Sequence, residues 1–366
     1  MTVIDADAHV IENEATWQYL SEADRQYQPM VLQQVDGVFG HTNRGAVSKE
    51  WWMVGTHVQP ADRNINVEDL DPESRNLTNV KSRLDHMDQL GIDVQVLYPT
   101  IFLSPCSPDA AGEFALYHSY NQWLADIWKQ APDRLPWAAM APLNSLHKLR
   151  EELEFAKANG AVSIFVRPFE CERGMFETYF DPLYEAAQDL DLAVTFHAGN
   201  GSFQNHKFLE PHNFAKFKLS MIAAFHGLLE FEVPKRFPGV RWGLIEASAS
   251  WVPYALIDAE KRLKRKGKRL SSDPLKDNNI FVTIEMTDDI PYIIDRVGDD
   301  NLVVGTDYGH TDTSAEIEAL RMLRDNGKVN ETSINKILGP NSEVLYGLQS
   351  GLSGIKKGGA HRHRPF

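Results

Sequence analysis

The chain has 366 residues, of which 43% are hydrophobic and 24% charged, enough for a soluble protein with a sizeable core. Its 51 acidic residues exceed the 37 basic ones for a formal net charge of -14, which argues against nucleic acid or an anionic membrane as partner and leaves small-molecule chemistry. Two cysteines, Cys106 and Cys171, outside any CxxC pair make no disulfide framework, and the absence of a signal-like N-terminus or long apolar run points to a cytoplasmic protein.

The first predicted strand lies in VIDADAHVIE, Val3 to Glu12. Side chains two apart on a strand point the same way, so Asp7 and His9 leave its C-terminal end on one face, as two ligands of one ion would. The segment 13–76 has no clear period and reads as an excursion over a barrel mouth, with Trp51 and Trp52 walling a pocket or packing the excursion down. Val80, Leu84, Met87 and Leu90 then step at helical spacing up to Gly91, and a second strand is expected over 92–99.

From there the pattern repeats. Helices are expected over 111–130, 146–158, 182–190, 216–236, 252–264 and 290–297, followed by strands over 135–143, 161–168, 192–199, 240–248, 279–286 and 301–310. Helices over 314–325 and 332–338 follow the last strand. Eight such units in this length predict an α/β fold, a (β/α)8 TIM barrel over 1–350 with a flexible tail over 351–366, which could also be an arm onto a neighbouring subunit. An open doubly wound sheet is the alternative, but no GxGxxG follows the first strand. The run KRLKRKGKR over 261–269 reads as a solvated helix end and loop.

A barrel of this kind carries its reacting groups at the C-terminal ends of its strands. Strand one supplies Asp7 and His9, strand five His197, strand six Glu246 and strand eight Asp307, while Glu12 and His226 lie just beyond strand ends. Unpaired carboxylates crowded on one face repel unless a cation neutralises them, so the set is read as a metal site. Each member has a plainer reading. His226 sits on an otherwise apolar helix and is either a ligand or a satisfied core residue, and Glu12 either binds metal or braces its loop. Arg167 is expected to anchor a substrate carboxylate, or else to form a salt bridge inside the barrel, and His118 and His310 to line or support the site.

The DADAHV opening, NQWLADIWKQAPDRLPWAAMAPL, the strand from Gly160 to Pro168, TFHAGN, RFPGVRWGLIEASASWVPY and VVGTDYGH together resemble the amidohydrolase superfamily. The likeness is to its amidohydrolase-2 branch, which includes the aminocarboxymuconate semialdehyde decarboxylase-like proteins. The resemblance implies that Asp7 and His9 stand at the family's HxH pair, His197 at its strand-five ligand and Asp307 at its strand-eight ligand. Three departures accompany it. Asp7 replaces the first His, Glu246 stands where decarboxylases of the branch have a His in an AHGG-like sequence, and strand four has no Lys to carry a carbamate.

A carboxylate-rich set with a few imidazoles suits iron or manganese, with zinc the alternative, at one or two ions per chain and with no organic cofactor. Within the branch the DxH opening and the strand-six Glu resemble dinuclear iron or manganese oxygenases. That resemblance implies a monooxygenase hydroxylating a small carboxylate-type substrate with dioxygen, with Glu246, Asp307 and His226 as catalytic residues and Arg167 and His310 against the substrate. The alternatives are a metal-water hydrolase of an amide, ester or lactone, in which Asp307 or Glu246 takes the proton, and a nonoxidative decarboxylase. A homodimer or higher homo-oligomer is expected.

Overall fold

The computed structural model describes residues 1–35, 38–39, 48–54, 57–60, 65–209 and 212–348. Eight strands form one parallel sheet in chain order: β1 (Ile4–His9), β2 (Val94–Tyr98), β3 (Trp137–Met140), β4 (Ala161–Val166), β5 (Ala193–His197), β6 (Trp242–Ile245), β7 (Ile280–Ile284) and β8 (Leu302–Val304). Each is followed in turn by a helix: α1 (Val80–Leu90), α2 (Ala110–Trp128), α3 (Leu146–Ala158), α4 (Asp181–Asp189), α5 (Ser220–Glu230), α6 (Val252–Arg265), α7 (Ile290–Val297) and α8 (Ala319–Arg324). The strands are buried almost throughout, as parallel strands covered on both faces must be, and most are apolar apart from Asp5, Asp7 and His9 of β1 and a few buried polar residues. Each fully buried Val, Ile or Leu contributes about 1.5–3 kcal/mol.

The ring closes between β1 and the end of β8. Ala8 bridges Tyr308 in parallel register, His9 N donates to Tyr308 O (2.7 Å) and Asp307 N donates to Asp7 O (2.9 Å). Gly305 makes this seam possible, because a Cβ there would stand 2.3 Å from Asp7 Cβ. The pairing of β1 with β2 shifts between Asp5 and Ala8, and such a bulge re-aims side chains beside a site. At the other end, Tyr346 of the last helix (Pro340–Tyr346) donates to Ala6 O (2.7 Å) and meets the Tyr98 hydroxyl (2.9 Å), so it fills the barrel from below.

Helix boundaries follow local chemistry. Asn79 caps α1 by accepting from Ser82 N, and Gly91 ends it in the left-handed conformation at φ 73°. The helix expected over 216–236 is interrupted: a π-helical turn, Ala215–Leu219, precedes α5, and Glu232 at φ 54° separates α5 from the short helix Val233–Arg236. The expected strand over 301–310 pairs as a strand only over Leu302–Val304, because the chain leaves the ladder before Asp307.

The excursion is more regular than its sequence suggests. It carries a four-stranded antiparallel sheet, with Trp51 opposite Leu32 and Trp52 opposite Val31. Met30 and Val31 remain half open to solvent and both tryptophans are half-buried, so these neighbouring residues do not alternate between buried and exposed as on a strand laid on a core. Its last part meets the mouth, where Ile65 bridges His310. The basic run pairs with acidic neighbours, Lys266 with Glu230 and Arg262 with Asp258. The tail over 351–366 lies outside the described residues. Among the described residues no helix is long and apolar enough to cross a membrane.

Candidate metal centre

His9 is the last residue of β1, and both its imidazole and its backbone carbonyl are held. Nδ1 lies 2.8 Å from Pro99 O, a bond that needs the proton on Nδ1 and leaves the lone pair on Nε2, while Arg83 Nη2 donates to His9 O (3.1 Å). His197 ends β5, with Nδ1 3.2 Å from Ala198 O and 3.2 Å from Glu246 Oε2, which again puts the lone pair on Nε2. The two Nε2 atoms stand 3.1 Å apart, and Asp7 Oδ1 is 3.2 Å from one and 3.4 Å from the other. Three acceptors therefore face one point.

Bonds of about 2.0–2.2 Å to a first-row ion, at angles of about 90–110°, separate neighbouring ligand atoms by about 2.8–3.6 Å. The observed spacings fit an ion held by Asp7, His9 and His197. Asp307 closes the set at the seam: Oδ1 lies 2.7 Å from His310 Nδ1 and 3.4 Å from His9 Nε2, while Oδ2 is buried with no partner. Of the four residues expected to converge, Asp7, His9 and His197 form one group, and Asp307 joins His9 and His310 in an adjoining one.

A second group adjoins it. Glu246, one residue past β6, Asp307 and Asp312 have ligand-capable oxygens within 4.8 Å of one another. Glu246 and Asp307 both adopt the left-handed conformation, at φ 59° and 52°, which turns their side chains out of the strand ladder.

Electrostatics point the same way. Burial and then the neighbouring Asp312 push Glu246 well above the usual carboxylate range, and burial, Glu246 and Asp312 do the same to Asp307. Burial would also raise Asp7, but His197 and then His9 outweigh it and hold Asp7 below its ordinary value. Burial pushes His9 down despite Asp7, and His310 falls well below its ordinary value through burial and then His9 and His197. Carboxylates this crowded are charged together only when a cation joins them.

Other expected site residues go elsewhere. Both oxygens of Glu12 accept backbone amides, from Thr100 N and Ile101 N (3.0 Å each), so Glu12 braces the loop after β2 and is not brought to the metal group. His226 lies between α5 and α6, with Nε2 3.1 Å from Asp258 and Nδ1 3.4 Å from Glu230, and so takes the structural role. Arg167 is fully occupied: Nε and Nη2 bind Glu170 (2.7 Å each), Nη1 binds Phe102 O and Ser104 O, and Nη2 also reaches the Tyr117 hydroxyl. It is the buried salt bridge and not a substrate anchor. His118 pairs with Glu152 (2.8 Å), away from the mouth, while His310 supports Asp307 and bonds Thr100 Oγ1 (3.0 Å).

The structure adds residues that the sequence reading missed. Asp312 follows Asp307 by five positions in TDYGHTD, and the second Asp was a readable signal. Lys218 carries no such mark. Asp5, on the other side of the β1 bulge from Asp7, binds Thr306 N (2.9 Å), Thr306 Oγ1 (2.6 Å) and Gln95 Nε2 (2.9 Å).

A closed parallel barrel with a buried imidazole and carboxylate cluster at its C-terminal mouth defines a metal-dependent enzyme. The chain belongs to the amidohydrolase family (Amidohydro_2), which it matches over residues 4–348. No curated protein matches the sequence. Among solved structures it resembles an amidohydrolase from Mycobacterium avium subsp. paratuberculosis K-10, at 20% identity and TM-score 0.74, covering 95% of this chain and 98% of that one. It also resembles 5-carboxyvanillate decarboxylase from Sphingomonas paucimobilis (16%, TM-score 0.66, covering 95% and 99%). A third is dihydroxybenzoic acid decarboxylase from Polaromonas sp. JS666, solved with bound manganese and 2-nitroresorcinol (15%, TM-score 0.64, covering 97% and 99%). At such identities the likeness establishes the fold.

Proposed function

We propose that the protein is a divalent-metal-dependent, nonoxidative decarboxylase of a small organic acid. The observation that carries this reading is the convergence of Asp7 Oδ1, His9 Nε2 and His197 Nε2 within 3.4 Å beside the unpartnered Oδ2 of Asp307. Two of the three related structures are decarboxylases, one of them with manganese, and this ranks decarboxylation above the hydroxylation expected from sequence. Manganese is the favoured ion and iron the next, with zinc the alternative, given the mixed imidazole and carboxylate donors.

Asp7, His9 and His197 would hold the ion, which supplies a positive charge for the substrate carboxylate and for negative charge that develops during reaction. His197 Nδ1 bonds Ala198 O (3.2 Å), and Glu246 Oε2 at 3.2 Å from the same nitrogen keeps the ring turned through their electrostatic contact. Asp307 holds a proton at Oδ2 and delivers it to the carbon that loses carbon dioxide, so a C–C bond breaks and a C–H bond forms without oxidant or reductant. A cavity of about 280 Å³ adjoins the group at Asp307, His310 and Asp312, where Asn66, Asp69 and Glu316 also border it, and among its described lining residues there is neither Lys nor Arg and none of Asp7, His9 and His197. With Arg167 committed to Glu170, the ion would be the anchor for the substrate's carboxylate. A homodimer or higher homo-oligomer in the cytoplasm belongs to the same reading.

The test is release of carbon dioxide from a panel of hydroxy- and amino-substituted benzoates and unsaturated dicarboxylates by manganese-loaded protein. In deuterium oxide one deuterium should appear at the vacated carbon. Full metal occupancy with no carbon dioxide from any member of the panel would sink the reading. Dinuclear iron or manganese monooxygenation stands second, favoured by Asp312, which joins Glu246 and Asp307 in an all-oxygen group suited to another hard ion. Substrate-dependent dioxygen uptake would put it first.

A further inference from the structure

Four mouth loops meet at one ammonium. Lys218 lies in the π-helical turn Ala215–Leu219 after β5, and its Nζ donates to Glu246 O after β6 (3.1 Å), Glu285 Oε1 after β7 (2.5 Å) and Ser314 Oγ after β8 (2.6 Å). A π turn holds one residue more than an α turn and so changes which side chains of the segment face a neighbour. Such turns recur at functional sites.

The bond to Glu246 matters because of that residue's backbone. A non-glycine residue in the left-handed conformation costs about 1–2 kcal/mol and persists only where its surroundings fix it. Two bonds fix Glu246: its N donates to Thr283 Oγ1 (2.8 Å) and its O accepts from Lys218. With both flanking peptides held, the carboxylate is aimed at His197 Nδ1 (3.2 Å).

We propose that Lys218 is a positioning residue of the metal centre. Through the Glu246 carbonyl it holds Glu246 in its left-handed conformation, and through Glu246 it sets the orientation of His197. This rests on the reading of Asp7, His9 and His197 as ligands, and its test is a property of the ion's surroundings, independent of turnover.

Metal-free protein would be titrated with Co²⁺ while the visible d–d bands and the dissociation constant are followed. Lys218→Met should still bind one Co²⁺ at the Asp7, His9 and His197 group, with shifted bands and affinity weakened by roughly 10- to 100-fold, the range for lost support of a ligating His. Lys218→Arg, which keeps the charge and the donors, should return both towards wild type. Thr283→Val frees the other side of Glu246 and should shift the bands in the same way, which decides the matter even if Lys218→Met does not fold. Wild-type bands and affinity in Lys218→Met or in Thr283→Val would overturn the proposal, as would equal shifts in Lys218→Met and Lys218→Arg. A wild-type protein that binds no Co²⁺ would remove the metal reading itself and this inference with it.

Discussion

The two halves of the metal centre are built differently. Asp7, His9 and His197 stand on β1 and β5, within the hydrogen-bonded ladder, and their backbones are fixed by the barrel. Glu246, Asp307 and Asp312 stand beyond the strand ends, two of them in left-handed conformations, and depend on loops and side chains such as Thr283, Lys218 and His310. The ladder half is preorganised by the fold, whereas the loop half can vary among relatives without disturbing the barrel. On the proposed reading the first half supplies the ligands, while the second half tunes them through Glu246 and supplies the proton of Asp307.

That division can be broken most directly at His9. His9→Ala should abolish metal binding and turnover while leaving the far-UV circular dichroism unchanged. Retention of a full complement of ion would move the centre to the carboxylate half. Glu246→Gln should keep the ion at saturating metal but lower both its affinity and the rate by roughly 10- to 100-fold, the range for lost support of a ligating His, as measured by metal analysis beside initial rates. Loss of half the bound ion from a protein holding two per chain would instead favour the dinuclear reading.

Asp312→Asn is expected to act more weakly, with a rate loss of roughly 10-fold and unchanged ion content, because Asp312 only borders the site. A loss as large as that of Glu246→Gln would make it an equal member of the loop half.

The smallest expected effect is at Glu12. Burial, partly offset by the bonds from Ile101 and Thr100, raises its pKa from 4.5 to about 7. A raised carboxylate binds more protons in the folded state than in the unfolded one, so its contribution makes stability fall as pH rises from about 4.5 to about 7. Glu12→Gln should flatten that part of the stability curve in denaturant titrations, and an unchanged slope would show that Glu12 stays ionised.

The sequence made the ladder half legible and the loop half only partly so. Asp7, His9 and His197 were marked by apolar runs ending in polar residues, a signal set by burial along a strand. Glu246 and Asp307 were found by place, but their turned backbones were not, since nothing local distinguishes a left-handed Glu from an extended one. Arg167 and His226 were misplaced because a buried ion pair and a ligand present the same residue types. Glu170 stands three residues on in the sequence, but only the fold reveals that both its oxygens turn back to Arg167. The π-helical turn that brings Lys218 to the mouth left no periodic trace over five residues.

The seam between β1 and β8 gives the ion a mechanical part. Asp7 and His9 lie on one lip of that seam and Asp307 on the other, some 300 positions apart along the chain. Closure there is confined to a few backbone bonds, and an ion held by Asp7 and His9 with His197 would tie one lip to the far side of the hoop as a clasp. The loaded protein should resist opening by about 2.7 kcal/mol at a free ion concentration a hundredfold above its dissociation constant. Amide hydrogens next to the clasp, His9 and Asp307 foremost, should be those whose exchange slows most when the ion is added.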